Sequence, residues 1–465
     1  MSAVVDGLYR IVWGLPTVAL ILLAGIWLSR ATGFAQFRLF PQACRDFAAL
    51  LLGKGQKNGK ISSFQALCTA LSATVGIGNL AGVAGAIALG GPGSMFWMWI
   101  CACFGMVIKY AEACLAVRYR IRDDSGQWMG GPMYTISRGM GKKWTWLACV
   151  YSFFGVVAAF GVGNATQINA VVSGVHSAAS AMGYFLEPKW NVWIGAALAA
   201  LIGVTLWGGA KRIGKTAEKL IPFAAGGYIL LCIVVLALRL DRIPYAMKDI
   251  FCGAFSPQAV TGGMIGSVTI AMQTGISRGI FTNEAGMGTA SIAHAGAEVE
   301  HPAKQGLMGI MEVFLDTIVI CTLTALVILT SGVPISYGQD QAATLTTAAF
   351  SAVLGDWVSV VIAAFLALFA FATVLGWGLY GARCAQFLLG NQAWRKFTVA
   401  QVMAVLLGAV MHTGTLWRLA EIVNGLMAVP NLIALCALTP VLRRITYDFN
   451  CGRNSAVGGT YENFY

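Results

Sequence analysis

The sequence predicts an all-α polytopic membrane protein with about eleven transmembrane helices. Hydrophobic residues make up 58% of the 465 residues and charged residues only 11%, and the mean hydropathy is +0.72. A soluble protein carries charge on about a quarter of its residues. Apolar runs of about 20 residues, the length at which a helix crosses a bilayer, recur along the whole chain. Two of the runs are interrupted near their middle by glycine and polar residues.

The apolar runs define the expected spans in order. They cover residues 9–30, 64–90, 94–117, 146–182, 190–209, 217–238, 260–297, 306–331, 353–382, 397–412 and 415–441. The first span is expected to stay as an anchor, because Asp6 and Arg10 precede it, its apolar core is long and no small-residue cleavage site follows.

The distribution of basic residues predicts the orientation. If the loop 31–63 is cytoplasmic, most of the 31 lysines and arginines fall on the cytoplasmic side. This places the N-terminus outside and the tail 442–465 inside. The net charge of +12 then reflects topology and contact with anionic lipid. Nucleic-acid binding is not expected, because the charges are dispersed over short loops.

Cysteine and histidine patterns give no sign of a metal site or an enzyme. The twelve cysteines mostly sit singly within spans, and Cys101 and Cys103 point to different helix faces. The four histidines occur in no zinc-binding motif. No arrangement of nucleophile and base recurs in the spans.

The second span contains the first interruption, at Gly76, Gly78 and Asn79 in the stretch ALSATVGIGNLAGVAGAIALGGPG. Lipid offers no partner to a loose N–H or C=O, so a helix unwinds at membrane depth only where protein, water or a ligand satisfies it. The interruption is therefore a candidate binding site. The alternative is that these glycines, with Gly82 four residues after Gly78, only allow close helix packing.

The seventh span, 260–297, contains a second interruption, predicted at Gln273 to Gly279. Transporters built from inverted repeats pair two broken helices at corresponding positions of their halves. We therefore expect an extra helix and loop at 1–63, a first five-helix repeat at 64–239 and a second, inverted one at 260–441. The broken helices are numbers one and six of this core.

The two interruptions offer complementary groups to an amino-acid zwitterion. The N–H groups of Ile77, Gly78 and Asn79 can bind its carboxylate, as helix N-termini bind anions. Carbonyl groups at Gln273, Thr274 and Gly275 can accept its ammonium group. Carbonyl groups freed between Ser72 and Val75 are the hard oxygen ligands that sodium prefers.

Three segments resemble the alanine or glycine:cation symporter family. They read SATVGIGNLAGVAGAIALGGPG, GGPMYTISRGMG and QTGISRGIFTNEAGMGTASIAHA, and the similarity extends from about residue 60 to 440. The resemblance implies a LeuT-type fold and symport of a small neutral amino acid, alanine or glycine, with sodium across a bacterial or archaeal cell membrane. In that fold Thr373 would join the Ser72 and Val75 carbonyl groups around sodium, and Trp377 would wall the pocket.

Several other residues have two interpretations each. Gln167 is a candidate substrate ligand or a tie between helices, and Trp377 is a pocket wall or ordinary packing. Asn79 could also bind a second cation or cap a half-helix.

A proton-coupled carrier and, in a different class, an ion channel remain alternative functions.

Ionisable residues at membrane depth are costly and need partners. Lys109 and Glu112, spaced i, i+3, are predicted to neutralise each other. Arg278 and Glu284 are predicted to form a gating or structural ion pair. Glu312 and Asp316 are same-sign neighbours spaced i, i+4, so either one of them is protonated or they face water or a cation.

Overall fold

The fold is seen in a computed structural model that describes residues 2–53, 61–124, 126–265, 267–339, 342–411 and 414–453. Residues 54–60 of the predicted cytoplasmic loop, His412 and the end of the predicted tail, 454–465, lie outside the described residues.

The N-terminal region contains one membrane-length helix and three shorter ones. These are α1 (Ser2–Val12), α2 (Leu15–Thr32), α3 (Ala35–Arg38) and α4 (Phe40–Leu51). Helix α2 begins with Pro16 in its first turn and ends at Gly33, which adopts a left-handed conformation with φ 64°. The predicted span 9–30 therefore starts later than expected, after a break at Trp13 and Gly14.

The central part of the chain begins with a bent helix pair. The helices are α5 (Ser63–Thr74), α6 (Val83–Gly90), α7 (Ser94–Tyr119), α8 (Pro132–Tyr134), α9 (Thr145–Phe160), α10 (Thr166–Ala181), α11 (Trp190–Trp207) and α12 (Gly209–Ala237). A short antiparallel hairpin of β1 (Ile121–Arg122) and β2 (Trp128–Met129) follows α7.

The second half of the chain adds short helices between its spans. The helices are α13 (Ile243–Phe255), α14 (Pro257–Thr261), α15 (Val268–Asn283), α16 (Thr289–His294), α17 (Pro302–Val313), α18 (Thr322–Ser331), α19 (Ala342–Leu354), α20 (Val358–Leu389), α21 (Ala393–Val410), α22 (Gly414–Leu426), α23 (Ala428–Ala437) and α24 (Thr439–Asn450). Two 3-10 turns, Lys142–Trp144 and Leu240–Arg242, complete the helical elements.

Four wider, π-helical turns continue or connect these helices. They are Gly78–Gly82, Thr135–Met140, Gly161–Ala165 and Phe314–Cys321. Such turns inside α-helices occur frequently at functional sites. Three of the four, at 78–82, 161–165 and 314–321, lie close to the site described below.

In the described parts of the chain, nine helices are long and apolar enough to cross a membrane, and the bent pair α5–α6 makes ten. The predicted span 260–297 is not among them, because its helices are short. Large apolar side chains face outward, such as Phe223 at 70% and Leu230 at 63% exposure on α12. Lipid contact accounts for surfaces of this kind.

Helix packing brings the interrupted elements to the centre. Helix α5 packs on α12 and α20, α20 packs on α9 and α10, and α7 packs on α15 and α17. The π-helical turn 78–82 contacts α15 and the turn 314–321. The first interruption is also contacted by α19, and α20 packs on the helix that precedes it.

Candidate binding site at the helix interruptions

The first interruption lies where it was predicted. Helix α5 ends at Thr74, and Val75 adopts an extended conformation, with φ −74° and ψ 105°. The segments Ser63–Thr74 and Gly78–Gly90 are bent by 54° relative to each other. In a continuous helix the Gly76 N–H would donate to the Ser72 carbonyl. Here it donates to the Asn79 side-chain oxygen at 2.8 Å, so the Ser72 carbonyl loses its helical donor.

Two polar side chains from other helices converge on this interruption. A Cβ atom placed on Gly76 would lie 2.9 Å from Thr373 Oγ1 and 3.8 Å from Gln167 Oε1. Thr373 comes from α20 and Gln167 from α10. Ser72, on α5, contacts α20 about one turn after Thr373: a Cβ atom on Gly376 would lie 2.8 Å from the Ser72 hydroxyl oxygen. The fold therefore brings Gln167 and Thr373, which are distant in sequence, to the segment that contains Ser72 and Gly76.

Gln167 keeps one polar atom without a partner among the described residues, and Trp377 lies beside Glu284. The Gln167 amide group donates to the Val162 carbonyl at 3.1 Å, but its Oε1 atom has no donor among the described residues. The Trp377 indole N–H faces the Glu284 carboxyl group without a hydrogen bond of standard geometry in the described chain. Both side chains are buried. An unsatisfied buried polar group is costly, and a polar ligand that donates a hydrogen bond would satisfy Gln167 Oε1.

The Trp377 indole reaches the site because Gly163 lets it approach. A Cβ atom on Gly163 would lie 2.4 Å from Trp377 Cβ, so only glycine fits at this helix contact. Gly163 and Gln167 are four residues apart, as are Thr373 and Trp377, so each pair lies on one helix face. The two faces meet beside Gly76.

The position predicted for the second interruption is wrong. Helix α15 continues through Gln273, Thr274 and Gly275 to Asn283. Its carbonyl groups there lie within the helix, so the reason for assigning them to an ammonium group no longer holds. Glycine in this stretch allows close helix packing instead: a Cβ atom on Gly275 would lie 2.2 Å from the Ser94 carbonyl oxygen.

The helix breaks ten residues later, between Asn283 and Thr289. Glu284 adopts a left-handed conformation with φ 51°, and Gly286 and Gly288 have φ values of 94° and 78°. The two interruptions face each other, since a Cβ atom on Gly78 would lie 3.1 Å from Thr282 Cγ2.

Glu112 and Asn431 hold this second interruption. Glu112 Oε1 accepts hydrogen bonds from the N–H groups of Gly286 at 2.9 Å and Gly288 at 3.1 Å, and from Asn431 Nδ2 at 2.8 Å. Asn431 Nδ2 also donates to the Gly286 carbonyl at 2.8 Å. No local pattern in the sequence indicates this role, because the three elements are far apart along the chain.

The predicted Lys109–Glu112 and Arg278–Glu284 pairs do not form. Lys109 Nζ instead contacts Glu312 Oε1 at 2.9 Å, with both side chains buried, because Glu112 on the same helix turns to the 286–288 backbone. Glu284 Oε2 accepts a hydrogen bond from the Thr289 hydroxyl at 2.6 Å, whereas Arg278 has no ion-pair partner among the described residues and is partly exposed.

Glu312 has a second partner in His294. His294 Nε2 lies 2.9 Å from Glu312 Oε2, and Gln305 Nε2 lies 2.7 Å from His294 Nδ1. Of the alternatives left open for Glu312, contact with a cation is the one seen, since Lys109 is its partner. These contacts also explain why a lysine and a glutamate are tolerated at this depth.

Asn79 and Asn164 are engaged with the protein. Asn79 Oδ1 accepts from Gly76, and its Nδ2 donates to Asp316 Oδ1 at 2.7 Å. Asn164 Nδ2 donates to the Gln401 carbonyl at 2.8 Å and so ties the 161–165 turn to α21. A substrate role for Asn79 stays a prediction, and in this structure the side chain shapes the interruption.

A bundle of membrane-length helices with a bent, polar-lined interruption at its centre defines a secondary transporter. The comparisons with known proteins specify the family. The family model for the sodium:alanine symporter family matches residues 1–460, and the chain belongs to that family. It is therefore a transporter and not an enzyme, and sodium is the co-transported ion.

Two relatives and one solved structure place the chain within that family and fold. It is 41% identical over 458 residues to the sodium/alanine symporter AgcS of Methanococcus maripaludis, covering 96% of this chain and 97% of the relative. It is 34% identical over 443 residues to the probable sodium/glutamine symporter GlnT of Bacillus subtilis, covering 94% and 88%. The structure is similar to Mhp1, a nucleobase-cation-symport-1 family transporter, with a TM-score of 0.51 and 13% identity over 83% of this chain and 92% of the other.

Proposed function

We propose that the protein takes up a small neutral amino acid, alanine or glycine, together with sodium by alternating access. The observation that carries this proposal is the convergence of Thr373 and Gln167 on the Gly76 interruption, where the Ser72 carbonyl has lost its helical donor. One place then offers donors to a carboxylate, an acceptor to an ammonium group and oxygen ligands to a cation.

The zwitterion would lie across the start of the second half-helix. The N–H groups of Ile77 and Gly78 bind its carboxylate, because a helix N-terminus favours negative charge. Gln167 Oε1, which has no donor within the described part of the chain, accepts from its ammonium group. Trp377 closes the site on the side of α20. In this proposal Gln167 takes the role that the sequence assigned to residues 273–275.

Sodium would lie at the end of the first half-helix. Its ligands are the carbonyl oxygens of Ser72 and Val75 and the hydroxyl oxygen of Thr373. The Thr373 hydroxyl donates its proton to the Phe369 carbonyl at 2.9 Å, so its lone pairs point away from that bond and are free for a cation. Three neutral oxygen ligands suit a hard monovalent ion.

The fold we propose is the five-plus-five inverted repeat of LeuT-type transporters. Residues 64–239 form the first repeat, 260–441 the second, and 1–63 an added segment. The likeness to Mhp1 supports it, as does the interruption of one helix in each half, at 75–77 and 284–288. Under this proposal the N-terminus lies outside and the C-terminus in the cytoplasm.

Sodium coupling would provide a substantial driving force. One sodium ion entering with a zwitterion moves one charge, which contributes about 2.3 kcal/mol per 100 mV. A tenfold sodium gradient adds about 1.4 kcal/mol. Together they support accumulation of the amino acid by several hundredfold, because about 1.4 kcal/mol corresponds to a factor of ten in concentration. The close approach of Thr373 and Gln167 to Gly76 favours a small substrate.

Counterflow of labelled alanine in proteoliposomes tests the proposal. A carrier gives saturable exchange when unlabelled alanine is trapped inside, and a channel does not. Replacing sodium by choline at fixed pH separates sodium coupling from proton coupling. We expect exchange that saturates and falls to background in choline, and undiminished uptake in choline would contradict sodium coupling.

A further inference from the structure

Asp316 is a buried carboxylate for which transport by the site described above has no direct use. It lies in the π-helical turn Phe314–Cys321 and is completely buried. Among the described residues it has no ion-pair partner, since Lys109 and His294 pair with Glu312. An unpaired buried charge is costly unless several hydrogen bonds hold it, so its bonds indicate what it does.

One oxygen of Asp316 leads to the first interruption. Asp316 Oδ1 accepts a hydrogen bond from Asn79 Nδ2 at 2.7 Å, and the Asp316 carbonyl accepts another at 3.2 Å. Asn79 Oδ1 then accepts the Gly76 N–H at 2.8 Å. This is the N–H that would otherwise bond to the Ser72 carbonyl.

The other oxygen leads to the second interruption. Asp316 Oδ2 accepts from the Thr317 hydroxyl at 2.8 Å, and Thr317 Oγ1 accepts from Asn283 Nδ2 at 3.2 Å. Asn283 Oδ1 accepts the N–H of Ala285 at 3.0 Å. Asn283 ends α15, and Ala285 belongs to the segment between α15 and α16.

An ionised carboxylate is well suited to this position, because it accepts hydrogen bonds and donates none. Facing Asp316, the Asn79 side chain must present its NH₂ group, and its oxygen must therefore point to the Gly76 N–H. A neutral amide at position 316 would not impose that orientation. Charge-assisted hydrogen bonds are also about twice as strong as neutral ones.

We propose that Asp316 is the positioning residue that holds both helix interruptions together: through Asn79 it keeps the Ser72 carbonyl free for sodium, and through Thr317 and Asn283 it fixes the second break. Asp316 touches neither substrate nor ion. The inference rests on the proposed function of the first interruption as the sodium site.

The test measures sodium binding directly, apart from transport. Purified protein is heated at increasing sodium concentrations, and the sodium concentration that gives half of the stabilisation is compared between variants. Asp316→Asn keeps the shape of the side chain and is expected to raise this concentration about tenfold, the equivalent of 1.4 kcal/mol. Alanine uptake at saturating sodium should change far less than the sodium requirement.

A swap of the two side chains provides a rescue. In Asn79→Asp/Asp316→Asn, the new amide donates to the new carboxylate, which still accepts the Gly76 N–H. We expect each single variant to lose sodium affinity and the double variant to recover part of it. Thr317→Val is a second probe that leaves the buried carboxylate in place and should also weaken sodium binding. Thr330→Val is the matched control, since the bonds of that buried hydroxyl among the described residues stay within its own helix, to Leu326 at 2.8 Å and Val327 at 3.5 Å.

The outcomes separate the two proposals. An unchanged sodium requirement in both Asp316→Asn and Thr317→Val, or additive losses without recovery in the swap, would overturn the role of Asp316. Sodium-stabilised wild-type protein that fails to take up alanine would instead contradict the proposed function and leave the Asp316 comparison measurable.

Discussion

Replacing Gly76 with alanine should impair sodium-driven uptake strongly. The added Cβ atom would lie 2.9 Å from Thr373 Oγ1, closer than real Cβ contacts, and 3.8 Å from Gln167 Oε1. The hydroxyl oxygen or the backbone must therefore move by a few tenths of an ångström. Overpacking of this kind costs about 1 to 3 kcal/mol, which corresponds to a loss of affinity of about 5- to 150-fold.

The assay is the initial rate of labelled alanine uptake into proteoliposomes, measured over a range of sodium concentrations. The matched control is Gly82→Ala, in the half-helix that follows the interruption. The new Cβ atom there would have an ordinary van der Waals contact, 3.8 Å to Thr282 Cγ2. We expect the control to keep the wild-type response and Gly76→Ala to need much more sodium. Equal behaviour of the two variants would refute the placement of the site at Gly76.

Three further substitutions test other parts of the account. Gly78→Val should abolish uptake while the protein still inserts. Even the Cβ atom of an alanine there would lie 3.1 Å from Thr282 Cγ2, and a β-branched side chain is stiffer. Wild-type transport kinetics in this variant would mean that the break has only a structural role. Thr373→Ala should raise the sodium concentration for half-maximal uptake more than the alanine KM at saturating sodium, and equal changes would remove Thr373 from the ion site. Lys109→Met leaves the buried Glu312 carboxylate without its ammonium partner and should cost about 3 to 5 kcal/mol of stability, seen as a lowered unfolding temperature. Lys304→Met, which removes a largely exposed pair at 3.4 Å, should cost at most about 1 kcal/mol, and an equal effect of the two lysine variants would contradict the buried-pair explanation.

The sequence predicted the first interruption well because its signal is local. Glycines at 76 and 78 inside an apolar run violate helix propensity, and such a violation at membrane depth has few explanations. The i, i+4 spacing of Thr373 and Trp377 likewise follows from helix geometry alone. The structure places both on the face of α20 that reaches the interruption.

The second interruption was misplaced because glycine has two uses in membrane helices. Gly275 and Gly279 allow α15 to approach α7 closely. In the sequence alone, glycines used for packing look the same as glycines that interrupt a helix. The actual break begins at Glu284, a residue that rarely adopts a left-handed conformation. It is stabilised by Glu112 and Asn431, and no local pattern reveals those contacts.

The ion-pair partners of the buried charged residues could not be predicted from the sequence either. Lys109 has a glutamate three residues away, and its actual partner, Glu312, lies on α17. The choice depends on Glu112 being engaged by backbone N–H groups of another segment. Spacing along one helix cannot show which long-range acceptors or donors compete for a side chain.

Sodium-dependent alanine counterflow in proteoliposomes containing the wild-type protein tests the central claim most directly. With unlabelled alanine inside and equal sodium on both sides, the account predicts rapid, saturable entry of labelled alanine that disappears when choline replaces sodium. Absence of counterflow at every sodium concentration, from protein shown to be folded, would contradict it.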